Sequence, residues 1–165
     1  MRNMYLIAVV IFLLDQASKY YVVHVIELPR QVLGNFMGRM EVFPPYLNLV
    51  MTWNRGINFG LLAGDKESTK WILIAIALMI TGWVIWWMRR EPRVLARISA
   101  GFLIGGALGN VVDRLVYGAV ADFLNMSCCG FRNPYSYNVA DIAIFVGAVG
   151  LILFTGEKRP RDATK

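Results

Sequence analysis

Between Trp71 and Met88 the chain reads WILIAIALMITGWVIWWM, eighteen residues without a charge. At about 1.5 Å of rise per residue, a helix of that length covers most of the roughly 30 Å hydrocarbon core of a bilayer. Three other stretches have similar character. One runs from about Met4 to Ile26, interrupted by Asp15 and Lys19; one from about Val94 to Val112, with Arg97 near its start; one, short for a bilayer, from about Val139 to Phe154. Only 17% of the 165 residues are charged, against about a quarter in soluble domains. The expectation is a mainly α membrane protein: a single domain over residues 1–165 with four transmembrane helices and extramembrane segments at about 27–69 and 114–138.

The net charge of +6 has two possible sources, a nucleic-acid surface or basic membrane flanks, and the positions of the charges decide. The segment RREPR between the second and third stretches, the tail GEKRPRDATK and Arg2 all fall on one side of a four-span map. The positive-inside rule makes that side cytoplasmic, termini included. Arg30, Arg39, Arg55, Lys66 and Lys70 lie on the other side, so the bias is imperfect. No nucleic-acid partner is implied. Arg2 is the only basic residue before the first stretch, no small-x-small site follows it, and the apolar pattern continues through YYVVHVI. That stretch is therefore expected to be a retained helix and not a cleaved signal peptide.

On this map the carboxylates gather at the outer end. Asp15 follows roughly 17 Å of apolar helix, and Lys19 stands one turn further out, at a spacing that lets the two pair. The third stretch delivers Asn110, Asp113 and Arg114 to the outer boundary; Asp122 follows it, and Asn138 and Asp141 open the fourth. Ionisable groups at membrane depth are expensive and are functional candidates by default. Asp15 with Lys19, and Asp113 with Arg114, carry their own counter-charges, so bracing of the bundle is an equal reading for them. Asp122 and Asp141 have no adjacent cation.

Residue types narrow the chemistry. Metal hydrolysis needs several His, Cys, Asp or Glu ligands, whereas the one histidine, His24, lies on an aliphatic helix and reads as a packed or interface residue. Ser18 and Lys19 are neighbours about 100° apart on a helix, so they do not face each other as nucleophile and base. Two aspartates suffice for one reaction. Close carboxylates cannot both ionise, so they share a proton. The ionised member activates a water while the protonated member donates to the carbonyl oxygen. No metal or other cofactor is called for. The competing reading, from another class, is a small proton-coupled membrane carrier that uses the buried Asp and Lys; a non-enzymatic assembly factor would leave the paired carboxylates without a role.

Five motifs carry a family resemblance: DQASK at 15–19, NRGINFG at 54–60, GNVVDR at 109–114, VADF at 120–123 and YNVAD at 137–141. In this order they resemble lipoprotein signal peptidase (signal peptidase II), the aspartic membrane peptidase of bacteria. The resemblance implies cleavage of the signal peptide from diacylglyceryl-modified prolipoproteins, immediately before the lipidated cysteine, at the outer face of the inner membrane. It implies Asp122 and Asp141 as the catalytic pair, and Asn54, Asn110, Arg114 and Asn138 as residues that line the site and hold substrate. Asp15, Lys19, Gly56 and Asp113 match motif positions with positioning or structural roles. The implied partners are prolipoprotein substrates and membrane lipid, with the enzyme acting as a monomer. Ile57 and Asn58 depart from the small residues usual at their positions, and the Cys128-Cys129 loop is not a family motif.

YLNLVMTWN at 46–54 alternates as a strand does and is bounded by Pro44-Pro45; the resemblance places a small outer-face β-sheet, a cradle, there. GINFGLLAGD is equally a short surface helix acting as a lid or a plain loop. Gly101, Gly105 and Gly109, four residues apart, predict close helix packing. Trp83, Trp86 and Trp87 suit interfacial anchoring. Adjacent cysteines bridge only through a tight ring, so Cys128 and Cys129 are expected as reduced thiols.

Overall fold

A computed structural model of the protein describes residues 1–33, 36–56, 66–130 and 133–156. The first helix, α1 (Arg2–Tyr20), buries Met4, Ala8, Ile11, Asp15 and Lys19. Steps of three and four residues put all five on one face. The stripe is apolar in its first half and ionic in its second. It packs on α3 (Val94–Tyr117), whose glycines recur on the matching face. A Cβ on Gly101 would lie 2.7 Å from the Met4 carbonyl oxygen, and one on Gly105 would lie 2.5 Å from that of Ala8. A Cβ on Gly109 would collide with the Asp15 carboxylate. The glycine spacing thus serves close approach, as the sequence predicts.

The other face of α3 receives α4 (Val139–Thr155), where Gly106 and Gly147 leave equally little room beside Ala140 and Leu103. The helix α2 (Lys66–Met88) lies against α3 through Val84 and Met88, which join Met4, Ala8, Ala100, Ile104 and Leu151 in one apolar core. Residues Arg2–Arg30, Glu67–Met88 and Val94–Tyr117 are long and apolar enough to cross a membrane, and α4 is a shorter apolar helix of 17 residues. Between α2 and α3 the Glu91 carboxylate grips Arg93, at 2.7 Å from Nε, and the Arg93 guanidinium donates to the carbonyls of Thr155 and Gly156. A cation is thereby set on the negative end of α4, satisfying carbonyls that the helix itself leaves unpaired.

Beyond the helices lies a three-stranded antiparallel sheet in the order β3 (Arg39–Phe43), β4 (Leu47–Asn54) and β5 (Val120–Met126). A separate ribbon pairs β1 (Val32–Leu33) with β2 (Phe36–Met37). Thr52 stands opposite Asp122, and an irregularity between Leu49 and Thr52 shifts the register, so that Asn48 meets Asn125. Val22, Leu28, Leu49 and Phe123 form a second core that binds the sheet to the turns that follow α1. Gly118, at φ 72°, ends α3 in the left-handed conformation that glycine adopts without penalty. Only two residues then separate α3 from β5, so Asp122 lies next to the C-terminal end of α3.

Two expectations change. Residues 120–126 form a strand where sequence reading saw only an outer loop, because VADFLNM is buried at nearly every position and shows no alternation. Cys128 and Cys129 are joined, with sulfurs 2.27 Å apart, in place of the expected free thiols; the left-handed turn at Cys129, φ 57°, closes the ring. The alternatives for GINFGLLAGD, together with Ile57 and Asn58, lie at 57–65, outside the described residues.

The glycine contacts make a stability prediction. Gly105→Ala should lower the thermal midpoint in detergent, with an overpacking cost of about 1–3 kcal/mol. Gly82→Ala, where a Cβ meets nothing within 4 Å, should be neutral or stabilising by up to about 1 kcal/mol. Equal midpoints for the two variants would remove the close α1–α3 approach from the account.

Candidate active site

At the outer end of the α1 stripe, Lys19 Nζ lies 2.8 Å from Asp15 Oδ2, 2.8 Å from Asp113 Oδ2 and 3.0 Å from Asn110 Oδ1. An ammonium has three donors, and all are used. Lys19, Asp15 and Asp113 are each at most 3% exposed. The two carboxylates have second partners on the backbone. Asp15 Oδ1 accepts the Ala140 N–H of α4 at 2.9 Å, and Asp113 Oδ2 accepts the Ala121 N–H of β5 at 3.1 Å. Gln16 Nε2 reaches Asp113 Oδ1 at 3.1 Å and Asp15 Oδ2 at 3.2 Å. The expected Asp15–Lys19 pair is present. The expected Asp113–Arg114 pair is not, because neighbours on a helix diverge by about 100°; Asp113 turns to Lys19 and Arg114 turns away.

The candidate dyad is built on top of this cluster. Asn138 is the N-cap of α4: its Oδ1 accepts the Asp141 N–H at 2.9 Å, and Asp141 Oδ2 accepts the Asn138 N–H at 3.2 Å. This reciprocal capping box satisfies donors that every helix start leaves open. A carboxylate at this helix start is also favoured by the helix dipole. The same Asn138 sends its Nδ2 to Asp122 Oδ1 at 2.6 Å. One fully buried side chain therefore fixes both aspartates. Asn110 links the dyad to the ionic cluster, accepting from Lys19 through Oδ1 and donating to Asp141 Oδ1 at 3.0 Å through Nδ2.

The second oxygen of Asp122 accepts from Asn54 Nδ2 at 3.1 Å. Gly56 N–H donates to Asn54 Oδ1 at 3.0 Å and so sets which way that amide faces. Gly56 sits at φ 129°, which L side chains rarely adopt, so the Asn-x-Gly spacing has a backbone reason. Burial first, and the charge of Asp141 second, raise the Asp122 carboxyl to about 6, against the opposing pull of the Asn54 and Asn138 amides and the charge of Lys19.

Arg114 faces a groove of about 310 Å³ between α2, α3 and α4, whose apolar wall includes Leu73, Ile76, Ile80, Leu103 and Ile144 and whose polar end is Asn110 and Arg114. Its Nη1 donates to the Asn110 carbonyl at 3.3 Å, while its buried Nε has no partner among the described residues. Among the described residues no three His, Cys, Asp or Glu side chains form a group that could hold a metal ion.

All ten site residues expected from the sequence lie at one end of the bundle, where α1 ends and α4 begins, nine in the hydrogen-bonded and ionic set and Gly56 in support of Asn54. Gln16 was missed. Its signal was position: beside Asp15 in an otherwise apolar helix, an amide needs buried partners as much as a charge does.

Residues 7–156 match the family described as signal peptidase (SPase) II. A lipoprotein signal peptidase of Methylorubrum extorquens (strain PA1) is 38% identical over 148 residues, 90% of this chain and 82% of the relative. That of Methylobacterium sp. (strain 4-46) is 37% identical over 142 residues, 86% and 81% of the two chains. A bacterial membrane enzyme solved by the in meso method at 2.3 Å resolution superposes with a TM-score of 0.76 at 25% identity, covering 99% of this chain and 96% of that one. The match spans all four helices and the sheet, and with it the chain belongs to the signal peptidase II family.

Proposed function

We propose that this protein is an aspartic endopeptidase that removes signal peptides from diacylglyceryl-modified prolipoproteins, cutting immediately before the lipidated cysteine. The observation that carries the reading is Asn138, which holds Asp122 through its side chain and Asp141 through its backbone. The pair shares one proton, and the burial of Asp122 biases that proton toward it. The ionised partner takes a proton from a water whose oxygen attacks the scissile carbonyl carbon, while the protonated partner donates to the carbonyl oxygen. The resulting gem-diol collapses as the C–N bond breaks, and a proton passes to the leaving amine. That proton comes from the dyad, and a gem-diol hydroxyl returns one as it becomes the product carboxyl, so the dyad ends with a single proton for the next water.

Asn54, Asn110, Asn138 and Arg114 hold the substrate main chain and the dyad, while Asp15, Lys19, Asp113 and Gly56 position them. The apolar groove below Arg114 receives the signal-peptide helix. The basic residues of the Arg89–Arg93 loop and of the tail support a topology with both termini cytoplasmic and the dyad at the outer face of the inner membrane. The site needs only one chain, which supports a monomer. The proton-coupled carrier is not favoured. Among the described residues an apolar cluster of Met4, Ala8, Val84, Ala100 and Ile104 fills the core below the ionic cluster, which weighs against a continuous proton path.

Asp122→Asn and Asp141→Asn should each fold yet lose about 10²–10⁴-fold in turnover, the usual contribution of a positioned acid or base. The double variant should be scarcely worse, because the two act as a unit. Mass analysis of a lipidated prolipoprotein after incubation with each purified variant reads this directly. Cleavage retained by either single variant would refute the dyad.

The same assay with an unlipidated substrate should show much slower cleavage, since the diacylglyceryl group sets the depth of the scissile bond. Equal rates for both substrates would refute the assignment of lipidated prolipoproteins and leave only a membrane peptidase.

A further inference from the structure

At the outer end of α1 the helix widens. Tyr21–Val25 is a π-turn, in which the Ile26 N–H donates to the Tyr21 carbonyl at 2.9 Å, five residues back. Glu27 follows at φ 52°, in the left-handed region, which is uncommon for a residue with a side chain. Widened turns of this kind are frequent at functional sites. Here the turn wraps Val23, His24, Glu27, Pro29 and Arg30 around a cavity of about 280 Å³ whose remaining wall is Trp53. The rings interlock: His24 Nε2 is 3.0 Å from the Tyr117 hydroxyl, and the Trp53 ring lies 5.3 Å from that of Tyr117.

This cavity is not the peptidase site. Side chains alternate along a strand, so Asn54, which binds Asp122, and its neighbour Trp53 face opposite sides of β4. The cavity has its own place in the membrane. Twenty-two residues of helix separate Arg2 from His24, about 33 Å, which spans the hydrocarbon core and ends among headgroups. Tyr20, Tyr21, Trp53 and Tyr117 are exposed around it, where aromatic residues collect at membrane interfaces.

The charges say which headgroup fits. Arg30 Nη1 and Glu27 Oε2 are 3.0 Å apart, with side chains 79% and 52% exposed, so the rim presents one cation and one anion side by side. That arrangement complements a zwitterion and offers an anionic lipid no net attraction. Aromatic faces attract an ammonium group, and a carboxylate accepts strong hydrogen bonds from one that carries N–H donors. We propose that the cavity holds the headgroup of an ethanolamine phospholipid of the outer leaflet, with its phosphate against Arg30 and its primary ammonium against Glu27 and the faces of Trp53 and His24. The lipid fastens the α1 terminus to β4 from the side opposite the dyad. The proposal borrows only the membrane orientation from the functional reading.

Native mass spectrometry of the purified full chain, offered phosphatidylethanolamine, phosphatidylglycerol and phosphatidylcholine with matched acyl chains at equal concentrations, tests this without any cleavage step. The protein should retain the ethanolamine lipid at least tenfold over the glycerol lipid and in preference to the choline lipid. Glu27→Gln, at an exposed side chain, and Trp53→Leu should each reduce that selectivity about tenfold, while Leu6→Ala at the far end of α1 should not. Circular dichroism of each variant separates a lost site from a lost fold. Equal retention of the three lipids, preference for either competitor, or unchanged selectivity in folded Glu27→Gln would overturn the proposal. In the separate cleavage assay, failure of the unmodified protein to cut a lipidated prolipoprotein, with lipid selectivity intact, would count against the peptidase reading alone.

Discussion

The Lys19 ammonium is the point on which the rest of the structure depends. Its partners come from α1 and α3, and through their carboxylates it reaches backbone donors in β5 and α4. Four elements are therefore joined through one buried cation. A buried ion pair is no guarantee of stability, because desolvation offsets much of the Coulombic gain. Removing one partner is another matter. Without Lys19, Asp15 and Asp113 would face each other with only the Gln16 amide between them, an uncompensated burial that typically costs about 3–5 kcal/mol. The cluster thus acts as a register device: in this arrangement of the four elements the Lys19 ammonium and both carboxylates find partners.

The candidate chemistry inherits that register. Asn110 receives the ammonium and passes its own amide to Asp141; Asn138, locked as the N-cap of α4, passes its amide to Asp122. Both aspartates are thus held by amide donors, as the proposed sharing of a proton requires. Close approach of the helices makes this possible. A side chain on Gly109 would displace the Asp15 carboxylate and disturb everything above it. The glycines of α3 therefore belong to the active-site geometry as much as to packing.

Much of this was legible in the residues. An uncharged run such as Trp71–Met88 has few places to go but lipid, and carboxylates at one end of a four-span map mark that end as the working one. The ten residues named from the motifs lie together at that end. What escaped was decided by tertiary partners. Residues 120–126 are buried on both faces, so they lack the alternation that reveals β4. Arg114 looks paired to Asp113 on paper, and only the helix geometry sends them apart. Gln16 carries no charge and so attracts no notice, although its amide spans both buried carboxylates. The π-turn at Tyr21–Val25 has no sequence signature, since YVVHV would suit an ordinary helix equally well.

The central claim is that Asp122 keeps a proton that an ordinary aspartate would lose. Difference infrared spectroscopy between the wild-type protein and Asp122→Asn, taken across pH in a membrane mimetic, reads the protonated carboxyl directly. The account predicts a carboxylic acid band absent from the variant and titrating near pH 6. A band already gone at about pH 5, as for an aspartate with the usual value near 4, would contradict it.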